Sequence, residues 1–180
     1  TTSTTTTTTT TTEEPKCGGT LDFQGKLVRN NFVTTMTTAP SFQLEWSMTP
    51  LATNRGQWTN IIHFTTGQNC CSPTDRIPYV ALKNVWQNIL FVAVSTQGNA
   101  NDFLECPKIL SNNQNYDIKL TVEPNPGTSV SKLRIDVDGV PCASKDLRGT
   151  PTAEQANVYM SDLYYTAADV DIRNVKYSCL

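Results

Sequence analysis

The 180-residue chain carries 14 Lys and Arg against 16 Asp and Glu, a formal net charge of -2, and so offers no basic footprint for a nucleic-acid partner. Its longest apolar run, Ile89 to Val94, has the length of a buried strand and falls far short of the roughly 20 residues that cross a bilayer. Neither nucleic acid nor a membrane is therefore expected as a partner, and the length suits one well-buried domain rather than two.

The chain opens on Thr1, Thr2, Ser3, Thr4, Thr5, Thr6, Thr7, Thr8, Thr9, Thr10, Thr11 and Thr12. A tract of hydroxyl side chains with nothing apolar cannot bury enough surface to fold alone. What it offers is a row of O-glycosylation sites, the more so because the sequon N-x-[ST] occurs nowhere in the chain. The start shows no initiator Met, no basic segment and no apolar signal, so the sequence is expected to be a processed protein or an excerpt of one. Residues 1–16 are read as a Thr-rich O-glycosylated linker or arm and residues 17–180 as the folded domain.

Cysteine usage indicates the compartment. Cys17, Cys70, Cys71, Cys106, Cys142 and Cys179 are even in number and scattered, with no C-x-x-C pair and only one histidine to complete a zinc site. Disulfides are expected, and with them a secreted, extracellular setting. If the terminal strands are neighbours, Cys17 and Cys179 staple the ends. Cys70 and Cys71 would then take Cys106 and Cys142, in an order the sequence leaves open.

Strands follow along the rest of the chain. Phe42, Leu44, Trp46 and Met48 alternate with Gln43, Glu45 and Ser47, the period-2 pattern of a half-buried strand. Trp58, Ile62 and Phe64 come next. Ile89 to Val94 is apolar on both faces, as in a strand covered on each side. Tyr116, Ile118, Leu120 and Val122 alternate with polar residues, as do Leu133, Ile135 and Val137, and Asp138-Gly139 is a hairpin signal. Prolines punctuate the predicted loops, and no window carries a helical apolar stripe. Two packed antiparallel sheets are predicted.

Ser41–Trp46, Trp58–Phe64 and Arg76–Leu82, continued by Asn115–Val122, Lys132–Val140 and Val170–Leu180, resemble the core strands of concanavalin A-like and laminin G-like jelly rolls. That resemblance implies an all-β antiparallel jelly-roll β-sandwich, here preceded by an extended Thr-rich arm, and glycan or protein binding.

Catalysis finds little support in the residue pattern. The E-x-D-x-x-E strand of glycoside hydrolases on this fold is absent, and Glu45, Glu105, Glu123 and Glu154 lie in separate segments. His63, the only histidine, is expected to be a packed or hydrogen-bonded structural residue, since no G-x-S-x-G elbow accompanies it. The expectation is a non-enzyme without a cofactor. Calcium is the metal to consider: Asp136 with Asp138, or Asp169 with Asp171, supplies paired oxygens, and the Asn99, Asn101 and Asp102 loop is the favoured place. For glycan recognition Trp46 and Trp58 are placed in the core by their register. Trp86, flanked by amides at a predicted turn, is the candidate sugar platform.

The assembled expectation is a structural subunit of a secreted glycoprotein filament, resembling extracellular glycoprotein filament subunits with mucin-like arms. Twelve extended residues reach about 37 Å at roughly 3.1 Å each, close to the roughly 40 Å diameter of a domain this size. The arm could therefore cross a neighbouring copy and cover its sheet edge, making a head-to-tail homopolymer whose other partners are its own covalent O-glycans. The alternative is a secreted, lectin-like carbohydrate-binding module on a mucin-like stalk; an inert wall spacer is a third reading.

Overall fold

A computed structural model describes residues 17–180; the O-glycosylation candidates of the threonine tract lie outside the described residues. The described chain contains no helix and folds into fourteen strands. These are β1 (Gly19–Thr20), β2 (Gly25–Lys26), β3 (Phe32–Thr37), β4 (Phe42–Pro50), β5 (Thr59–Thr65), β6 (Tyr79–Leu82) and β7 (Ile89–Thr96), then β8 (Asn99–Ile109), β9 (Tyr116–Pro124), β10 (Ser131–Val137), β11 (Val140–Asp146), β12 (Gln155–Tyr159), β13 (Thr166–Ala167) and β14 (Val170–Cys179).

One sheet runs β1-β14-β4-β9-β10-β11 with β2 beside β14; the other runs β3-β12-β5-β6-β7-β8 with β13 beside β5. All pairings are antiparallel except the two-residue β13 to β5 contact. The chain crosses between sheets at β2 to β3, β3 to β4, β4 to β5, β8 to β9, β11 to β12 and β13 to β14, and this exchange makes the sandwich a jelly roll. The alternation read in the sequence sets the register. Phe42, Leu44, Trp46 and Met48 of β4, with Ile118, Leu120 and Val122 of β9, face Ile62, Phe64, Val80, Leu82, Val92 and Val94 across one continuous core. The Asp138-Gly139 turn joins β10 to β11 with both residues at positive φ, 55° and 74°; that geometry matches the twist of a tight hairpin and favours glycine at its second position.

The disulfides close the sandwich at its margins. Cys17 bonds Cys179 at the end of β14, the pairing that the terminal positions suggested, while its backbone bridges Thr37 of β3. Cys106 on β8 bonds Cys142 on β11, joining the edge strands of the two sheets. The sequence expectation for the middle cysteines therefore fails: Cys70 and Cys71 bond each other. The reason is reach. A disulfide needs Cα atoms within about 7 Å; the facing edges bring Cys106 and Cys142 to 5.5 Å, whereas Cys70 and Cys71 belong to the loop between β5 and β6.

An aromatic cup on the outer face of the second sheet

Strands β5, β6 and β7 are buried along almost their whole length on both faces. One face supplies the core, so something must cover the other. Tyr79 and Ala81 of β6 and Phe91 and Ala93 of β7 form that second, smaller buried cluster, with Trp58 and Tyr165 packed against it. Register explains the relief. Tyr79 lies opposite Ala93 and Ala81 opposite Phe91, so each ring is paired across the strands with a methyl group and the surface alternates high and low.

The rings interlock by their edges. Trp58, just before β5, meets Phe91 edge-on at 4.7 Å between centroids; Tyr165, just before β13, leans on Tyr79 at 5.8 Å. Phe103 of β8, 45% exposed, stacks on the far side of Phe91 at 5.3 Å. Between these walls lies a recess of about 180 Å³ lined by Trp58, Arg76, Tyr79, Phe91, Asn101 and Tyr165.

Arg76 is the polar feature of this cup. It is 7% exposed, and its guanidinium carbon sits 4.6 Å above the Tyr79 ring centre. Its Nε donates to the Asn69 carbonyl at 3.2 Å and its Nη1 to Asn101 Oδ1. Asn69 in turn donates through Nδ2 to the Tyr165 hydroxyl at 3.3 Å, which ties the arginine, the Cys70–Cys71 loop and one aromatic wall together. The Tyr79 hydroxyl is buried and makes no hydrogen bond among the described residues. Burial, followed by the neighbouring Tyr165 and Asp162, pushes its pKa well above the usual phenol value.

Beneath the cup a buried histidine fixes its frame. His63 is fully buried; its Nδ1 meets Asp162 Oδ2 at 2.7 Å and its Nε2 meets the Asp75 carbonyl at 2.6 Å. Both ring nitrogens lie within hydrogen-bond distance of an oxygen, so the ring is held from both edges. Asp162 Oδ1 accepts the backbone N–H groups of Tyr164 and Tyr165 at 2.9 and 3.0 Å, and the Asp162 N–H donates to Asn60 Oδ1 at 2.8 Å. His63 thus pins the segment that carries Tyr165 on one side and the residue preceding Arg76 on the other. With both nitrogens engaged, it has the structural role the sequence suggested. It is a positioning residue for the cup.

The outer face of the first sheet holds a larger groove of about 440 Å³, bordered by Glu45, Ser47, Asp117, Lys119, Arg134 and Asp136. Several of its groups engage one another, although Asp136 Oδ1 is buried without a hydrogen-bond partner among the described residues. Ser47 Oγ donates to Asp117 at 2.7 Å, Arg134 pairs with Asp136 at 2.8 Å, and Glu45 lies directly across from Lys119.

The remaining sequence candidates are placed as follows. Trp86 is 74% exposed, as expected, and its indole rests over Gly56, where a Cβ would lie 3.0 Å from the ring nitrogen; it does not line the cup. Trp58, assigned to the core from its register, instead forms a cup wall, because a register shift between Asn60 and Ile62 breaks the alternation that linked it to Ile62 and Phe64. Asn99, Asn101 and Asp102 do not aim their oxygens at one point. Asn99 Oδ1 accepts the Asn101 N–H at 3.1 Å, Asn101 Oδ1 holds Arg76, and buried Asp102 takes Lys145 Nζ at 3.2 Å and the Arg148 N–H at 2.7 Å. Asp138 is engaged with Lys108 and Asp169 with Lys26. Among the described residues no group of three or more His, Cys, Asp or Glu could hold a metal ion. Glu105 pairs with Lys83 at 2.7 Å. Sequence reasoning missed the cup itself, although one signal was present: strands apolar on both faces imply a cover for the outer face.

No family model and no curated protein matches the chain. Solved structures do resemble it. A native heptameric SAP-like pentraxin from Limulus polyphemus superposes with a TM-score of 0.54 at 13% identity, over 94% of this chain and 74% of the pentraxin. The receptor-binding domain of botulinum neurotoxin type G gives 0.55 at 14% identity, over 89% of this chain and 40% of that one. The binding domain of botulinum neurotoxin DC in complex with SialylT gives 0.52 at 11% identity, over 76% and 31%. The chain therefore spans less than half the length of the toxin domains it resembles. At these identities the likeness is one of fold: a jelly-roll β-sandwich of the pentraxin and concanavalin A-like class.

Proposed function

We propose that this chain is an extracellular carbohydrate-binding module, a lectin-like jelly roll that seats a sugar in the aromatic cup of its second sheet. The observation that carries this reading is the lining of the recess: Trp58, Tyr79, Phe91 and Tyr165 as walls, with Arg76 and Asn101 as polar groups. A sugar ring has C–H faces that pack on aromatic rings and an equator of hydroxyls that need hydrogen-bonding partners, and a mostly apolar recess with a few placed polar groups meets both needs. The recess is small, about 180 Å³, below the roughly 300–1,000 Å³ of pockets for larger ligands, which favours a single ring. The jelly-roll neighbours, one of them solved in complex with SialylT, support the choice. Three disulfides support the extracellular setting, and among the described residues no helix is long and apolar enough to cross a membrane. The module needs no cofactor in this reading and performs no reaction: His63 is sealed beneath the cup and Glu105 is paired with Lys83.

The test is a glycan array probed with the full chain, followed by titration of the best ligand against Trp58→Ala. Binding that falls tenfold or more in the variant, with an unchanged melting temperature, supports the cup; an array without signal sinks the module reading.

A second reading draws on the root of the arm. Cys17 is bonded to β14 of one sheet and bridged to β3 of the other, so a pull on residues 1–16 would be delivered to both layers. A subunit of an extracellular filament, joined head to tail through an O-glycosylated threonine arm, would need such an anchorage. Deleting residues 1–12 and imaging the product tests it; filaments of unchanged length and pitch would exclude the arm as the joint.

A further inference from the structure

We infer that the sugar taken by the cup is an acidic one, whose carboxylate is received by Arg76; this rests on the reading of the cup as a sugar site. Arg76 is a buried residue, 7% exposed, and a buried guanidinium is costly to leave without an opposite charge. The protein otherwise respects that rule. Asp102, fully buried, has Lys145 and Arg148. Arg134 closes on Asp136. Arg76 differs: among the described residues no carboxylate lies within 4.0 Å of it, and its two recorded acceptors, the Asn69 carbonyl and Asn101 Oδ1, are both neutral.

The acids adjacent in sequence to Arg76 and to its partner Asn101 are turned to other tasks, as is Asp162, which is held by His63 and the Tyr164 and Tyr165 N–H groups. Asp75, the preceding residue, gives Oδ2 to the Ser72 N–H at 2.6 Å, and Asp102, next to Asn101, is held by Lys145 and the Arg148 N–H. An arginine carries five N–H donors in a rigid fork. Two are consumed in aiming the group, and the Tyr79 ring supports one face of the plane. The unused edge belongs to a side chain that lines the recess. A carboxylate offers two oxygens at the matching spacing and can accept bidentately. A neutral hydroxyl would satisfy one donor and leave the buried charge uncompensated. The aromatic walls meanwhile require the acid to be carried on a ring with apolar C–H faces, which is the chemistry of a uronic or nonulosonic acid.

The experiment is calorimetric titration of the full chain with methyl glycosides of two uronic acids and one nonulosonic acid, each beside its neutral counterpart reduced at the carboxyl. At least one acid is expected to bind about tenfold to hundredfold tighter than its counterpart, the range for hydrogen bonds to a charged group. Arg76→Gln should bring that ratio close to one, and Arg76→Lys should keep part of it by retaining charge without the fork. The wild-type ratio needs no variant, so it decides the matter even if Arg76→Gln does not fold. Neutral sugars that bind as tightly as acids and are lost in Trp58→Ala would overturn the acid specificity and leave the module reading intact. A ratio that survives in folded Arg76→Gln, or a preference for a sulfated over a carboxylated ring, would overturn it as well. No binding by any sugar removes both readings.

Discussion

The two outer faces of this sandwich are built on the same period-2 arithmetic and end in opposite chemistry. On the first sheet the outward residues of β4, β9 and β10 are polar or charged: Ser47 bonds Asp117 across the strands, Arg134 pairs with Asp136 along β10, and Glu45 lies opposite Lys119. On the second sheet the outward residues of β6 and β7 are aromatic and alanine, roofed at the sides by the segments around Trp58, Cys70 to Arg76 and Tyr165. The first face has the larger groove, yet its hydrogen-bonding capacity is mostly spent on itself. The second has less than half the volume and keeps a buried cation with donors to spare. Size alone does not mark a site; unspent polar capacity beside apolar walls does.

That contrast breaks most easily at the buried pair under the cup. Asp162→Ala leaves buried His63 Nδ1 without its partner and frees the segment carrying Tyr165. The expected loss is about 3–5 kcal/mol of stability, as for a buried pair broken on one side, read by urea denaturation together with loss of sugar binding. A variant that kept its stability would mean that His63 does not hold the frame. The margin comes next. Replacing Cys106 and Cys142 by Ala together removes the clamp between β8 and β11, whose ends are 36 residues apart, and a loop of that size is worth about 3–4 kcal/mol. This change should lower stability without a specific effect on the cup, because neither residue lines it. A selective loss of sugar affinity at unchanged melting temperature would contradict the separation.

The strands and their inward residues were legible because each β-strand records its own burial: Phe42 to Met48, Tyr116 to Val122 and Leu133 to Val137 alternate in the sequence and face the core as read. The even cysteine count and the hairpin at Asp138-Gly139 were legible for similarly local reasons. The cup was not, because its walls come from positions 58, 79, 91 and 165 and meet only through the sheet order β5-β6-β7 and a loop pinned by Asp162, which lies 99 residues from His63. Nothing near Arg76 in sequence announces that Asp75 turns away from it. The pairing of the four middle cysteines was missed for the same reason, since the proximity of Cys106 to Cys142 belongs to the closure of two sheet edges, whereas Cys17 and Cys179 were legible from their terminal positions. Trp86 was legible as an exposed ring because its flanking amides and predicted turn are local properties; the convergence of several rings is not local.

On the first face a milder change sharpens the comparison. Arg134→Ala leaves Asp136, whose side chain is 5% exposed, without its partner. Because the arginine itself is 43% exposed, water can replace part of what is lost, and a cost of about 1 kcal/mol is expected, between the range of a surface pair and that of a charge-assisted hydrogen bond. Sugar affinity should not move. A fall in affinity larger than about threefold would transfer the site to the groove of the first sheet.

The smallest effect belongs to Trp86. Its ring is 74% exposed and rests on the backbone at Gly56, so truncation to Ala removes little buried surface, and stability should stay within about 0.5 kcal/mol of the parent, as for surface positions generally. A tryptophan can nevertheless be silent in folding and large in binding, since most binding energy is carried by a few aromatic anchors. Location decides here: Trp86 stands on the β6 to β7 loop and is not among the residues that line the recess, so a single sugar ring seated there leaves it untouched. Affinity for a monosaccharide should therefore change less than twofold in Trp86→Ala. If longer oligosaccharides lose tenfold while the monosaccharide does not, the second sheet binds a chain of sugars that leaves the cup over this loop. If the monosaccharide itself loses tenfold, the cup is not where it sits.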